Sequence, residues 1–199
     1  MTKYRLTDIV TKTGDSGESG LADGSRAPKD APEFEALGCI DELNAQIGLL
    51  RVFMAEDARI CEHDYYLELH EQIESVQHQL FNLGADIALP GSELVNEEDT
   101  LRLEQFIKRF NQLLPPLENF VLPTGEKASV QAHVARTVCR RAERRLVTLN
   151  RHKPFNQAIS AFINRLSDTL FIFCRLLSLM TENNETLWQQ PPAQQRNNQ

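Results

Sequence analysis

The sequence predicts an all-α protein: a five-helix up-and-down bundle behind a long glycine-rich N-terminal loop. Three observations predict it. Apolar residues recur at steps of three and four through five segments from residue 33 onward, the period of a helix with one buried face. Proline, glycine or polar residues punctuate the gaps between those segments. No stretch carries a convincing strand pattern, and no internal repeat is found. The 199 residues fit a single domain, with a loop over 1–32 and a polar tail over 188–199 that reads as disordered.

Each element follows in turn. Residues 1–32 are rich in Gly, Ser, Asp and Thr and lack periodicity. A loop this long in a compact domain is functional or disordered. The first helix is expected over 33–54, with Asp30 as N-cap, Pro32 in the first turn and Glu33 at capping-box spacing. Its core stripe is Phe34, Leu37, Ile40, Leu43, Ile47 and Leu50. Leu69, Ile73, Val76, Leu80, Leu83 and Ile87 mark the second helix, which Pro90-Gly91 ends. Asn96 caps the third, Glu97, Glu98 and Asp99 favour its positive end, and Pro115-Pro116 stops it. Its stripe is Leu103, Phe106, Phe110 and Leu113. The fourth helix runs from about Glu126 to Asn150 and the fifth from about Phe155 to Asn183.

Composition narrows the function. A formal charge of −7 leaves no fold-wide basic footprint for nucleic acid. No apolar run reaches membrane-spanning length and no secretory signal opens the chain, so a cytoplasmic location is the default expectation. Cys39, Cys61, Cys139 and Cys174 are far apart, which argues against a zinc site or a disulfide scaffold. None of the five histidines has Glu three residues before it, so the pair that builds di-iron bundles is missing.

The fourth helix carries the densest chemistry. Val130, Val134, Val138, Ala142 and Leu149 share one face at 100° per residue. Arg136, Arg140 and Arg144 stack on the opposite face beside Glu143, with Arg141 flanking the core stripe and Arg145 nearest the core face, where it snorkels from the helix end. Like charges at i, i+4 and i+8 repel. They fit either a solvated face offset by Glu143 or an anion site, for which guanidinium forks suit phosphate oxygens. On the fifth helix, Phe162, Leu166, Leu170, Phe173 and Leu177 read as core. Asn164, Asp168 and Arg175 fall on the far side with Phe171 and Ile172. That second apolar face suits a subunit contact, or else Asn164 and Asp168 form a satisfied polar pair inside the bundle. Gly48, in mid-helix beside Asp41, Glu42 and Asn44, suggests a close approach or simple tolerance. In the N-terminal loop, Gly14, Gly17, Gly20 and Gly24 permit an anion-binding nest, and Lys12, Arg26 and Lys29 add charge. The loop is not a Walker P-loop, since G-x-x-x-x-G-K-[ST] is absent.

Taken together, these segments resemble one family. TKTGDSGESGLADGSRAPKD at 11–30, CIDELNAQIG at 39–48, FVLPTG at 120–125, ARTVCRRAERR at 135–145 and NRLSDTLFIFCR at 164–175 are similar, in the same order, to blocks of the PduO-type ATP:cob(I)alamin adenosyltransferases. The resemblance implies a five-helix bundle assembled as a homotrimer with active sites between subunits. It implies transfer of the 5′-deoxyadenosyl group of ATP to cob(I)alamin, with release of triphosphate. Mg²⁺ would accompany ATP, cob(I)alamin would be a substrate, and a reductase would supply it. By the same resemblance, Thr11, Lys12, Thr13, Gly14, Ser19, Gly20 and Lys29 match ATP-contact positions. Arg140, Arg141, Glu143, Arg144 and Asn164 match the helical side of that site. Asp41 and Arg136 match a pair that joins neighbouring subunits. Phe120 matches an aromatic at the lower face of the corrinoid, and Asp168 an active-site acid. Arg140, Asp168 and Phe120 are thus the positions expected to bear on catalysis, while no metal ligands are assigned.

Three departures stand out. Gly20 replaces a frequent Thr or Ser, Glu126 a frequent glycine, and LADG a turn that more usually contains an aromatic. A nucleotide sensor without turnover would share the loop and arginines, and a structural bundle with an acidic partner would share the arginines alone. Phe120, Asp41 and Asp168 distinguish the enzyme from both.

Overall fold

The computed structural model describes residues 10, 12–89 and 91–190. Among them are six helices, five long and one of a single turn: α1 Pro32–Glu56, α2 Ala58–Cys61, α3 Tyr66–Ala88, α4 Glu97–Asn111, α5 Lys127–His152 and α6 Gln157–Met180. The extra turn, α2, is capped by the Asp57 side chain, which accepts from Arg59 N at 3.1 Å. No described helix is long and apolar enough to cross a membrane.

The N-terminal segment is not only loop. Strands β1 Glu18–Gly20 and β2 Arg26–Pro28 pair antiparallel, with Ser19 opposite Ala27. Three residues per strand are too few to show an alternating pattern. Gly24, at φ 84°, closes the turn, and Asp23 Oδ1 accepts from Ser25 N at 2.9 Å.

Helix caps follow local chemistry with one correction. Ala31, not Asp30, occupies the N-cap of α1 and makes no side-chain cap bond. Pro32 at the first helical position confines the preceding residue to extended backbone, which places the boundary at Ala31. At α4 the reciprocal box forms as expected: Asn96 caps the helix and Asp99 Oδ2 accepts from Asn96 N at 3.0 Å. Leu113 lies beyond the end of α4 and is exposed rather than part of its stripe. At α6, Asn156 accepts from Ala158 N at 3.0 Å and donates to Val95 O at 2.8 Å.

The packing order differs from the chain order. Helix α5 lies along both α1 and α6, α4 packs on α6, and α3 packs on α1. The bundle is therefore not a simple up-and-down succession of sequence neighbours. The side chains of α5 explain its central place. Ala128, Ser129, Ala132, Ala135, Cys139 and Ala142 are buried, whereas Val134 is exposed. Small residues let two helices approach at once, so the core stripe of α5 centres on alanines rather than on Val130 and Val134. The larger volume comes from its neighbours: Leu43, Ile47 and Leu50 on α1, Phe162 and Phe173 on α6, Phe106 and Phe110 on α4. Polar pairs fix the α1–α5 register, with Gln131 Nε2 donating to Gln46 O at 2.9 Å, Arg141 paired to Glu42, and Arg145 to Glu35 at 3.0 Å. Arg145 thus carries its charge out to a surface ion pair, as snorkelling requires.

Helix α6 also departs from expectation. Ile172 and Arg175 are buried within the chain, whereas Asn164 and Asp168 are exposed, so its own fold covers the second face of α6 only in part. Gly48 faces the Gln77 side chain, whose Nε2 would lie 3.5 Å from an added Cβ. Beyond α6 the chain turns at Glu182 and runs back along residues 119–122. Val121 bridges Leu187, Leu122 N donates to Thr186 O at 2.8 Å, and Trp188 N donates to Phe120 O at 2.7 Å. Trp188 is thus held in place, although it falls within the tail expected to be disordered; residues 191–199 lie outside the described residues.

Candidate active site

Three groups of predicted residues emerge, and the fold brings the members of each together. In the N-terminal segment, Lys29 reaches back over Gly14, where an added Cβ would stand 3.1 Å from Lys29 Nζ. Glycine is the residue that leaves room for that amine. Arg26 is consumed structurally, donating to Thr13 O at 2.7 Å and pairing with Glu18 at 3.5 Å. Lys12 holds φ 57°, a conformation that costs a non-glycine residue roughly 1–2 kcal/mol. Strain of this kind is characteristic of ligand-binding loops. Ser19 and Gly20 lie in β1, and an added Cβ at Gly20 would meet nothing closer than Ser25 O at 3.9 Å. Thr11 lies outside the described residues.

The second group spans α5 and α6. Asn164 Nδ2 donates to Glu143 Oε1 at 2.8 Å, and Arg144 Nη1 donates to Arg140 O at 3.0 Å. Arg141, held by Glu42, is directed towards α1.

The third group lines an open cleft of about 590 Å³ between α5, α6 and the 117–121 segment. Its walls include Phe120, Arg136, Arg140, Asp168 and Phe171. Phe120 is 77% exposed, so its ring is presented by the backbone rather than packed in the core. Arg136 lies over the Phe171 ring at 5.8 Å, and its buried Nε has no partner. The Arg140 guanidinium likewise has no partner among the described residues. Asp168 accepts from Arg165 Nη1 at 3.0 Å, and Arg165 also binds Glu104. Two aromatic faces beside two guanidiniums make a cleft that is both apolar and anion-attracting.

Asp41 is exposed on α1, with no hydrogen bond or ion pair to another described residue, and does not meet Arg136 in the same chain. Nor does any hydrogen bond or ion pair link Lys12, Gly14, Ser19, Gly20 or Lys29 to Arg140, Arg141, Glu143 or Arg144.

Sequence reasoning missed three contributors. Ser167 lines the cleft, Asn119 braces Phe120 by accepting from its N–H at 2.8 Å, and Trp188 stands 6.2 Å from the Phe120 ring. The lone tryptophan in a polar tail was a signal for the last.

Beneath the cleft lies His133, buried on α5 with Nδ1 unpartnered. Burial pushes its imidazole down to about 4, the Arg136 guanidinium adds to this, and Glu185 opposes it. The unfolded chain therefore binds the extra proton between pH 6.5 and about 4. This cost to the fold is absent above pH 6.5 and grows as pH falls through that window, reaching about 2 kcal/mol by pH 5. Urea midpoints at pH 7 and 5 should differ less in His133→Gln than in the native protein. Burial also pushes the Cys139 and Cys174 thiols up, which suits inert core residues.

The fold and cleft define a helical-bundle protein with a glycine-rich N-terminal segment and an open amphipathic cleft. The family model for cobalamin adenosyltransferase matches residues 9–177, and the chain belongs to that family. It is 40% identical over 185 residues to a cobalamin adenosyltransferase of Cupriavidus metallidurans, covering 93% of this chain and 96% of that one. It is 36% identical over 193 residues to the corrinoid adenosyltransferase of Homo sapiens, covering 92% and 74%. Its fold is similar to that of a PduO-type ATP:corrinoid adenosyltransferase from Lactobacillus reuteri, a phenylalanine-to-alanine variant complexed with cobalamin and ATP. The TM-score is 0.82 and the identity 31%, over 92% of this chain and 99% of that one.

Proposed function

We propose that this protein transfers the 5′-deoxyadenosyl group of ATP to cob(I)alamin, forming adenosylcobalamin and releasing triphosphate. The observation that carries the reading is the cleft that joins Phe120 and Phe171 to the guanidiniums of Arg136 and Arg140. A corrinoid offers a broad apolar ring with a polar rim, and ATP offers the anion. Cobalt(I) donates an electron pair to C5′ of ATP. The cobalt–carbon bond forms, the C5′–O bond breaks, and triphosphate leaves with the electron pair. The metal centre is itself the nucleophile, so the protein's task is to position both substrates and stabilise the leaving charge.

In this reading Lys12, Thr13, Gly14, Ser19, Gly20 and Lys29, with Thr11, cradle the triphosphate. Arg140, Arg141, Arg144, Glu143 and Asn164 close on it from the helical side. Asp168 stands at the corrinoid side and Phe120 at its lower face. No three His, Cys, Asp or Glu side chains among the described residues converge on one point. Mg²⁺ would accompany ATP, held by phosphate oxygens, water and one or two carboxylates, its usual mode with nucleotides. A cytoplasmic reductase is the partner that supplies cob(I)alamin. The deciding assay is triphosphate release with ATP and chemically reduced corrinoid. Release without any corrinoid, or none with it, would defeat the assignment.

The assembly follows from what one chain lacks. Within one chain no hydrogen bond or ion pair joins Lys12, Gly14, Ser19, Gly20 or Lys29 to Arg140, Arg141 or Arg144, and none joins Asp41 to Arg136. A neighbouring copy would complete both pairings, and Leu49, Val52 and Val134 are exposed apolar residues suited to that contact. A homotrimer with active sites between subunits is expected. Light scattering at micromolar concentration should report three copies, and a monomer that retains full activity would overturn the shared site.

A further inference from the structure

The ring of Phe120 is exposed, so something other than core packing must hold it. Its backbone is held on one side by the C-terminal strap, through Leu122 N to Thr186 O at 2.8 Å and Trp188 N to Phe120 O at 2.7 Å. Asn119 Nδ2 adds a bond to Trp188 O at 2.6 Å. The strap itself has no helix to anchor it. Asn183 Nδ2 ties its start to Glu126 Oε1 at 3.0 Å, and its deeper anchor is Arg175 on α6, a side chain only 4% exposed. Arg175 Nε donates to Glu185 Oε1 at 2.8 Å and Nη2 to Glu185 Oε2 at 3.0 Å, a two-point fork. Nη2 also donates to Pro115 O at 2.7 Å. Pro115 opens the segment that carries Phe120, and Glu185 opens the strap that pairs with it. One guanidinium therefore fixes the root of both.

We propose that Arg175 and Glu185 are positioning residues for the reaction, a buried clamp that sets the height of Phe120 and Trp188 at the wall of the cleft. Neither residue lines the cleft, so neither touches substrate; each acts through the strap. The planar fork is needed because a single ammonium cannot satisfy both carboxylate oxygens and the Pro115 carbonyl at once. Releasing the clamp frees the strap, and the exposed ring of Phe120 then loses its fixed height. This rests on the proposed adenosyl transfer with Phe120 at the lower face of the corrinoid, where its ring would exclude the lower ligand of cob(II)alamin.

The test uses the full-length protein carrying Arg175→Lys or Glu185→Gln, two changes that keep the volume of the buried site, with circular dichroism to confirm the fold. Trp188 is the only tryptophan in the chain, so its fluorescence reports the strap directly. Without corrinoid, each variant should show at least a twofold rise in acrylamide quenching of Trp188. With ATP, turnover that starts from cob(II)alamin and a reductant should fall at least tenfold. Turnover with chemically pre-reduced cob(I)alamin should fall less than threefold. Unchanged quenching in both folded variants would overturn the clamp. A freed Trp188 with equal losses in the two assays would overturn its link to Phe120. Native protein inactive with either corrinoid would defeat adenosyl transfer itself, while the quenching measurement would still decide whether Arg175 holds the strap.

Discussion

Arg140→Ala should lower kcat/KM for ATP by roughly tenfold to a few hundredfold while leaving the fold intact. The range corresponds to one charge-assisted hydrogen bond, worth about 1.5–3 kcal/mol, or somewhat more where charge develops in the transition state. The structure makes the change a clean one. Arg140 is exposed on α5, and its guanidinium has no partner among the described residues, so removing it orphans no buried group. Its removal also relieves the repulsion along Arg136, Arg140 and Arg144, so thermal stability should hold or rise slightly. Arg140→Lys should recover only part of the rate, since an ammonium keeps the charge but not the fork. A loss mainly in kcat would place Arg140 against the leaving triphosphate, and a loss mainly in KM against ground-state ATP. Native kinetics in a folded Arg140→Ala protein would remove it from the site.

How far this site could be read from sequence depended on the range of the forces that build it. The helices announced themselves because burial period and capping are local: the Asn96–Asp99 box and the Leu69–Ile87 stripe formed as read. The arginine stack at 136, 140 and 144 was equally local, and the structure brings two of the three to one cleft. Misreadings came where packing overrode hydropathy. Valine outranks alanine as a core residue on any transfer scale, yet α5 sits between two helices and needs small side chains, so Val134 is left exposed and Ala132 and Ala135 are buried. Arg175 read only as a residue of the far face of its helix, because its carboxylate partner, Glu185, lies beyond the helix end. The pairing of the strap with Phe120 is a non-local backbone interaction, and no periodicity foretells it. The order of the five motifs identified the family, since each block carries side chains whose spacing no amphipathic pattern requires.

Phe120→Ala should separate the two halves of the reaction. At 77% exposure the ring contributes little to the core, so the 3–5 kcal/mol cost of truncating a buried phenylalanine does not apply. The variant should unfold within a few degrees of the native protein. Its backbone hydrogen bonds, Trp188 N to Phe120 O and Phe120 N to Asn119 Oδ1, survive the change because neither uses the ring. What disappears is an apolar surface on the cleft wall. If that surface displaces the lower ligand of cob(II)alamin, its loss leaves the ligand in place and the cobalt difficult to reduce. Turnover from cob(II)alamin with a reductant should then collapse by roughly a hundredfold or more, on the scale of removing one stabilising group from a reacting centre. Turnover from pre-reduced cob(I)alamin should fall far less, since that step starts after reduction. The ratio of the two rates in one folded preparation decides the matter. Weaker corrinoid binding alone predicts a higher KM in both assays and an unchanged ratio, and that result would leave Phe120 a wall of the cleft with no part in displacing the ligand.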